Sequence, residues 1–237
     1  MDRKPKQDYL ECEKIWVFAV LTCVGGFLGA FTYSLRGGVF CNAQTGNFVL
    51  LALAIGSGDW GKALYLLVPI TAYFLGAFIS ESIAGPIKKL RLIRWDTLFI
   101  MIEMAAVVIL GLIPESAPYQ ITQVLVNFIC SMQYNTFRQA EGIPMATTFC
   151  TNHIRQVGVL FSKTVRCRDR EAARRLGVHV LMLASFVAGG AVSTALCAAF
   201  RGRAVFAALI PLAVVLTAFL RADRKQHGHL EQVPRGH

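Results

Sequence analysis

Eight apolar stretches, each roughly 17 to 24 residues long, run through this chain at about 15–35, 39–56, 63–84, 97–113, 119–137, 144–162, 176–199 and 203–220. A bilayer core is ~30 Å thick and takes about 20 apolar residues per helical crossing. A helix in a soluble core would carry a polar face, and most of these stretches carry none. Charged residues, only 16% of the chain, fall in short clusters between them. The pattern predicts an all-α integral membrane protein with the lipid bilayer as its main partner. The net charge of +10 then orients the spans, and nucleic-acid binding is not expected.

The first stretch begins near Ile15, after a mixed-charge leader, and is longer than the apolar core of a cleavable signal. It is expected to be retained as the first span. The tail 221–237 is polar, and His227, His229 and His237 in it read as solvated, not as a metal site. Seven scattered cysteines (Cys12, Cys23, Cys41, Cys130, Cys150, Cys167, Cys197) contain no C-x-x-C, so neither a disulfide framework nor a metal centre is expected. Nucleophile elbow, Walker loop, H-E-x-x-H and dinucleotide fingerprints are absent from the sequence. No enzymatic activity and no cofactor are expected.

Shifting the first four stretches by about 106 residues lays them on the last four, which predicts an internal repeat (about 15–113 and 119–220) within one membrane domain. The shift carries Thr45 onto Thr151. Both lie in unusual stretches. Gly37-Gly38-Val39-Phe40-Cys41-Asn42-Ala43-Gln44-Thr45-Gly46-Asn47 opens the second, and Gly142-Ile143-Pro144-Met145-Ala146-Thr147-Thr148-Phe149-Cys150-Thr151-Asn152-His153 opens the sixth. Each starts with Gly or Pro punctuation, passes through β-favouring residues and reaches a Thr/Asn cluster before reading as helix. The Thr and Asn residues are expected to cap the helices. Each stretch is therefore expected to be an extended strip leading into a half-helix.

The basic residues bear on whether these two stretches cross the bilayer or dip into it and return. Of 24 Lys and Arg, Arg155 lies inside a stretch. With eight crossings and a cytoplasmic N-terminus, the other 23 divide 15 inside to eight outside, and the run Lys88-Lys89-Arg91-Arg94 faces outward. With both stretches re-entrant they divide 19 to four, the outer four being Arg36, Lys62, Arg201 and Arg203. The positive-inside bias favours the second arrangement. It has six transmembrane helices plus two re-entrant or broken half-helices in two inverted repeats, with both termini cytoplasmic.

Unpaired backbone at membrane depth is tolerated only where it is buried in protein or lines a wet cavity. Two such breaks at matching repeat positions point to a transporter or channel site. Half-helix N-termini offer free N–H groups and partial positive charge, which suit a small anionic or polar solute. The candidate binding residues are Asn42, Gln44, Thr45, Gly46 and Asn47 in the first break. In the second they are Thr147, Thr148, Thr151, Asn152, His153 and Arg155. Arg155 reads equally as an anion ligand or as a snorkelling side chain at the cytoplasmic mouth. Glu103, within the fourth stretch, is a candidate proton relay or cation partner, with Arg155 or His153 as its expected counterpart. Gln123, Asn127, Gln133, Asn135 and His179 read as packing glue, and Gly25, Gly26, Gly29, Gly189 and Gly190 as close helix contacts.

The two opening motifs, with Met132-Gln133 and Asn135, resemble the YoaK-type family of bacterial integral membrane proteins, a domain of unknown function. The resemblance covers nearly the whole chain. It implies about six helices in a bacterial cytoplasmic (inner) membrane and no particular activity. Where that family tends to carry Thr-Gly, this chain has Thr151-Asn152 followed by His153. A glycine would ease a tight strip-to-helix turn, so a different turn is expected here. The leading expectation is a small-solute secondary transporter or channel with a midplane site. The alternative is a non-transporting membrane scaffold or partner subunit.

Overall fold

The computed structural model describes residues 9–90 and 93–225, the side chains of 86–90 and 225 excepted. The charges at Lys88, Lys89 and Arg91, and the tail histidines His227, His229 and His237, lie outside the described residues. Eight α-helices follow one another: α1 (Ile15–Leu35), α2 (Gln44–Gly56), α3 (Trp60–Leu90), α4 (Trp95–Leu112), α5 (Tyr119–Thr136), α6 (Thr151–Cys167), α7 (Arg170–Phe200) and α8 (Leu209–Lys225). A 3-10 turn, Glu11–Glu13, precedes α1, and a 3-10 stretch, Arg201–Ala208, joins α7 to α8. Between α5 and α6 lies a small antiparallel hairpin of β1 (Gln139–Ala140) and β2 (Ile143–Pro144). The sequence did not announce this hairpin.

The protein is an all-α membrane protein. Four helical stretches are long and apolar enough to cross a bilayer: Ile15–Leu35, Trp60–Gly85, Trp95–Leu112 and the run Arg170–Arg224. The helix α5 has the length but is more polar, because Thr122, Gln123, Asn127, Ser131, Gln133 and Thr136 are turned into the protein. The helices α2 and α6 begin later than the apolar stretches that contain them. Residues 39–43 and 145–150 are non-helical, as the strips at these positions were expected to be.

The longest helix pairings are α1 along α7 and α3 along α5; α6 packs on α7, α2 on α3, and α4 touches both α5 and α8. Glycine makes the first pairing possible. A Cβ on Gly26 would lie 2.0 Å from the Phe186 carbonyl oxygen, and one on Gly189 would lie 1.9 Å from that of Cys23. In lipid, where apolar area gives little drive to associate, such backbone contact supplies the packing.

Polar contacts at the helix ends trace the path of the chain. The Gln123 side chain donates to the Arg36 carbonyl (2.7 Å) and accepts from the Tyr65 hydroxyl (2.9 Å). The end of α1, the early part of α3 and the early part of α5 are thus neighbours. Gly37 and Gly38, with φ of +86° and +68°, turn the chain from α1 into the first strip, a backbone that a side chain would strain. At the other end, the Glu141 N–H donates to the Glu13 carbonyl (2.8 Å) and Arg174 pairs with Glu141 (3.2 Å). The start of α7 therefore lies beside the β hairpin.

A buried ionic cluster ties the hairpin end together. Arg94 donates to Asp96 (3.0 Å), lies 3.7 Å from Asp223 and reaches the Cys12 sulfur (3.4 Å), while Thr97 donates to Asp223 (2.7 Å). Burial opposes the Arg94 charge, but Asp96, Cys12 and Asp223 outweigh it and raise its pKa. Arg94→Ala would strand two carboxylates in a closed site. Removing one partner of a buried pair costs about 3–5 kcal/mol, so the variant should show a clearly lower thermal unfolding midpoint in detergent. An unchanged midpoint would mean that the cluster is wet.

Candidate functional site

Local backbone shapes the site first. Each strip must find partners for its peptide groups, and polar side chains in the first turns of the helices that follow supply them. Asn47 donates to the Phe40 carbonyl (2.8 Å) and to the Gln44 side-chain oxygen (3.0 Å). Gln44 in turn donates to Asn127 on α5 (2.6 Å). In the second break, one His153 ring nitrogen donates to the Ala146 carbonyl (2.7 Å) and the other meets His179 of α7 at 2.9 Å. Both strips lean on the small-residue face of α1. The Asn42 amide donates to the Gly25 carbonyl (3.2 Å), and a Cβ on Gly25 would come within 2.6 Å of the Thr147 carbonyl oxygen.

The caps differ from those expected. The residues before α2 and α6 are Ala43 and Cys150, and neither helix start has a side-chain cap bond. Thr45 and Thr151 instead lie within the first turns. Nor does the second junction need a glycine: Asn152 is helical, and positive φ occurs nearby only at Glu141 and Gly142.

The two helix starts open on one cavity of about 500 Å³, lined by Asn42, Ala43, Gln44, Thr45, Tyr73, Phe149, Thr151, Asn152 and Arg155. Six of the sequence candidates are therefore brought together: Asn42, Gln44, Thr45, Thr151, Asn152 and Arg155. The others lie elsewhere. Gly46 sits against the Phe40 ring, Asn47 and His153 are buried holding the strips, and Thr147 and Thr148 are buried within the second strip. Glu103 is wholly buried midway along α4, and neither carboxylate oxygen has a hydrogen-bond partner among the described residues.

The expected pairing of Glu103 with Arg155 or His153 is not made. Arg155 donates to Asn152 (3.0 Å), and His153 is occupied by Ala146 and His179. Glu103 instead lies within electrostatic reach of Cys130 on α5. Tyr73 and Phe149 were missed as lining residues. Tyr73, the second tyrosine in its stretch after Tyr65, had only its hydroxyl midway along that stretch as a signal. Phe149 had none, because an aromatic in an apolar stretch reads as packing.

A second cavity of about 360 Å³ shares Phe149 and Asn152 with the first and extends toward the hairpin end, where Asn135, Arg138 and Pro144 line it. No group of three or more His, Cys, Asp or Glu side chains able to hold a metal occurs among the described residues.

The family described as "Protein of unknown function (DUF1275)" matches residues 17–220, which include α2, α6 and every residue of the cavity. The chain belongs to the DUF1275 family. Comparison of this DUF1275 protein with curated proteins and with solved structures returns no match. The chemistry of the cavity therefore has to be read from its own donors. These are side-chain amides, the hydroxyls of Thr45, Tyr73 and Thr151, one guanidinium and the N–H groups of two helix first turns that lack a side-chain cap.

Proposed function

We propose that this DUF1275 protein is a small-solute transporter or channel of a bacterial cytoplasmic membrane, with its site at the two half-helix starts and with no enzymatic role. The cavity shared by those starts carries the reading. Paired discontinuous helices whose N-termini converge near the midplane are a recurrent way to build a solute site. We also favour the YoaK-type assignment, on the motifs at 37–47 and 142–151.

The finer topology we propose is six spans with two re-entrant half-helices in inverted repeats. Helix pairing supports it. Exchanging α1–α4 with α5–α8 turns the α1/α7 contact into α5/α3, α2/α3 into α6/α7, and α4/α5 into α8/α1, and all of these contacts occur. The glycine contacts follow the same exchange: Gly189 meets the Cys23 carbonyl, and Gly76 of α3 would place a Cβ 2.4 Å from the Phe128 carbonyl of α5. The basic residues then collect at the hairpin end, which we take as cytoplasmic along with both termini.

Cysteine accessibility in inside-out and right-side-out vesicles tests this reading, with the unsubstituted chain as background. Thr45→Cys and Asn152→Cys should react with a membrane-impermeant thiol reagent added at the cytoplasmic face. Protection of both positions from both faces would leave the scaffold reading and sink transport. Labelling at Gly58→Cys from the cytoplasmic face would sink the re-entrant topology.

A further inference from the structure

We infer that the cavity binds an anion, which reaches it from the hairpin end through the second cavity, past Phe149. The inference rests on the transport reading above and names the substrate class and route for that site.

The charge inventory carries the first part. Arg155 is the one charged lining residue, and no carboxylate lines the cavity. Its bond is to the Asn152 side-chain oxygen, a neutral acceptor, at 3.0 Å. Five other arginines pair with carboxylates: Arg94 with Asp96, Arg138 with Glu81, Arg174 with Glu141, Arg175 with Glu171 and Arg201 with Glu115. The half-helix α6 has no acidic residue over Thr151–Cys167. The starts of α2 and α6 add their partial positive charges. A cation in this cavity would meet a guanidinium and two positive helix ends with no counter-charge. A neutral solute would leave the guanidinium unpaired at membrane depth, where that is costly. A small carboxylate or inorganic anion meets a charge-assisted donor and several neutral ones.

The route follows from what the two cavities share. Phe149 and Asn152 line both, so they form the partition between them. The Phe149 ring stands edge-on to Tyr134, centroids 5.0 Å apart and planes at 64°. Beyond it, Arg138 and Asn135 line the outer space. Along α6, Ser162 and Arg166 fall within about 20° of the direction of Arg155 at 100° per residue. Arg155, Ser162 and Arg166 are all exposed. The half-helix thus carries a polar, basic stripe from the cavity toward the hairpin end. Phe149 is the side chain placed to close the passage.

Two measurements on the full chain in phosphatidylcholine vesicles, which offer no anionic headgroup, test the inference. The first needs no known solute. Thr45→Cys should react faster with a sulfonate-bearing methanethiosulfonate than with its trimethylammonium counterpart. Arg155→Gln in the same chain should reduce that preference by about tenfold, and Arg155→Lys should largely keep it. Faster reaction with the cationic reagent, or a ratio that Arg155→Gln leaves unchanged, overturns the anion assignment while transport stands. No reaction with either reagent overturns transport itself.

The second measurement is uptake of labelled chloride, formate and acetate, compared with sodium and glycerol. Anion uptake should fall with Arg155→Gln and rise in rate with Phe149→Ala. Sodium or glycerol uptake indifferent to Arg155→Gln overturns the assignment. Anion uptake unchanged by Phe149→Ala overturns the route.

Discussion

Gly189→Val should leave almost no folded protein in the membrane, while Gly190→Ala beside it should extract and elute like the wild type. The contrast follows from the α1/α7 crossing. A Cβ at Gly189 would sit 1.9 Å from the Cys23 carbonyl oxygen, and the opposing atoms are backbone, which cannot rotate aside. A Cβ at Gly190 would find its nearest atoms at 3.6 Å and 3.7 Å, ordinary contact. To admit valine, α1 would have to move away from α7. It would carry with it the Gly25 surface on which both strips rest, through the Asn42 bond and the Thr147 carbonyl. Overpacking of this kind typically costs about 1–3 kcal/mol, occasionally more, and here two strips and the helices that follow them lose support together. Fluorescence-detected size exclusion of detergent extracts measures the outcome directly. A monodisperse Gly189→Val peak would mean that the two helices are not in contact there.

Glu103→Leu should act in the opposite direction and raise thermal stability. Glu103 is wholly buried on the same helix face as Phe99, Ile100, Ala106 and Val107, and neither oxygen has a hydrogen-bond partner among the described residues. Leucine fills a similar volume without a polar group to satisfy. Removing an unsatisfied buried polar group should gain about 1–3 kcal/mol, seen as a higher unfolding midpoint in detergent. Glu103→Gln should gain less, because its amide keeps the same need for partners. A lower midpoint for the leucine variant would show that the carboxyl holds a bound ion, water or proton partner that matters to the fold. A group retained at a cost to stability is a mark of function. If Glu103 serves the solute cycle, the stabilised variant should also be the inactive one, and the uptake measurement would separate the two effects.

Much of the architecture was legible in the residues. Hydropathy along the chain located the eight helices. The Gly and Pro punctuation at Gly37-Gly38 and Gly142-Pro144 located the two strips, because the causes of those breaks are local: positive φ, a missing N–H, residues that favour extended backbone. The roles of individual polar residues were less legible. Asn47 and Gln44 sit three residues apart in the same motif, yet Asn47 faces the Phe40 carbonyl and Gln44 lines the cavity. His153 and Arg155 are two residues apart on one half-helix, and they point to opposite sides, toward α7 and toward the cavity. A polar residue type predicts that a partner will be found, but not which one.

The sequence by itself determined that this chain carries helices apolar enough for a membrane, and that two of its apolar stretches open on non-helical strips. Bilayer thickness and backbone hydrogen bonding act on each segment separately, so each segment records them in its own residues. Only the tertiary structure decided that Asn42, Thr45, Thr151 and Arg155 share one cavity with Tyr73 and Phe149, and that Glu103 stands apart from it. That depends on how each helix is rotated about its axis. The rotation is set by contacts between segments distant in sequence, such as Gly26 with Phe186 and Gly189 with Cys23, which no single segment encodes.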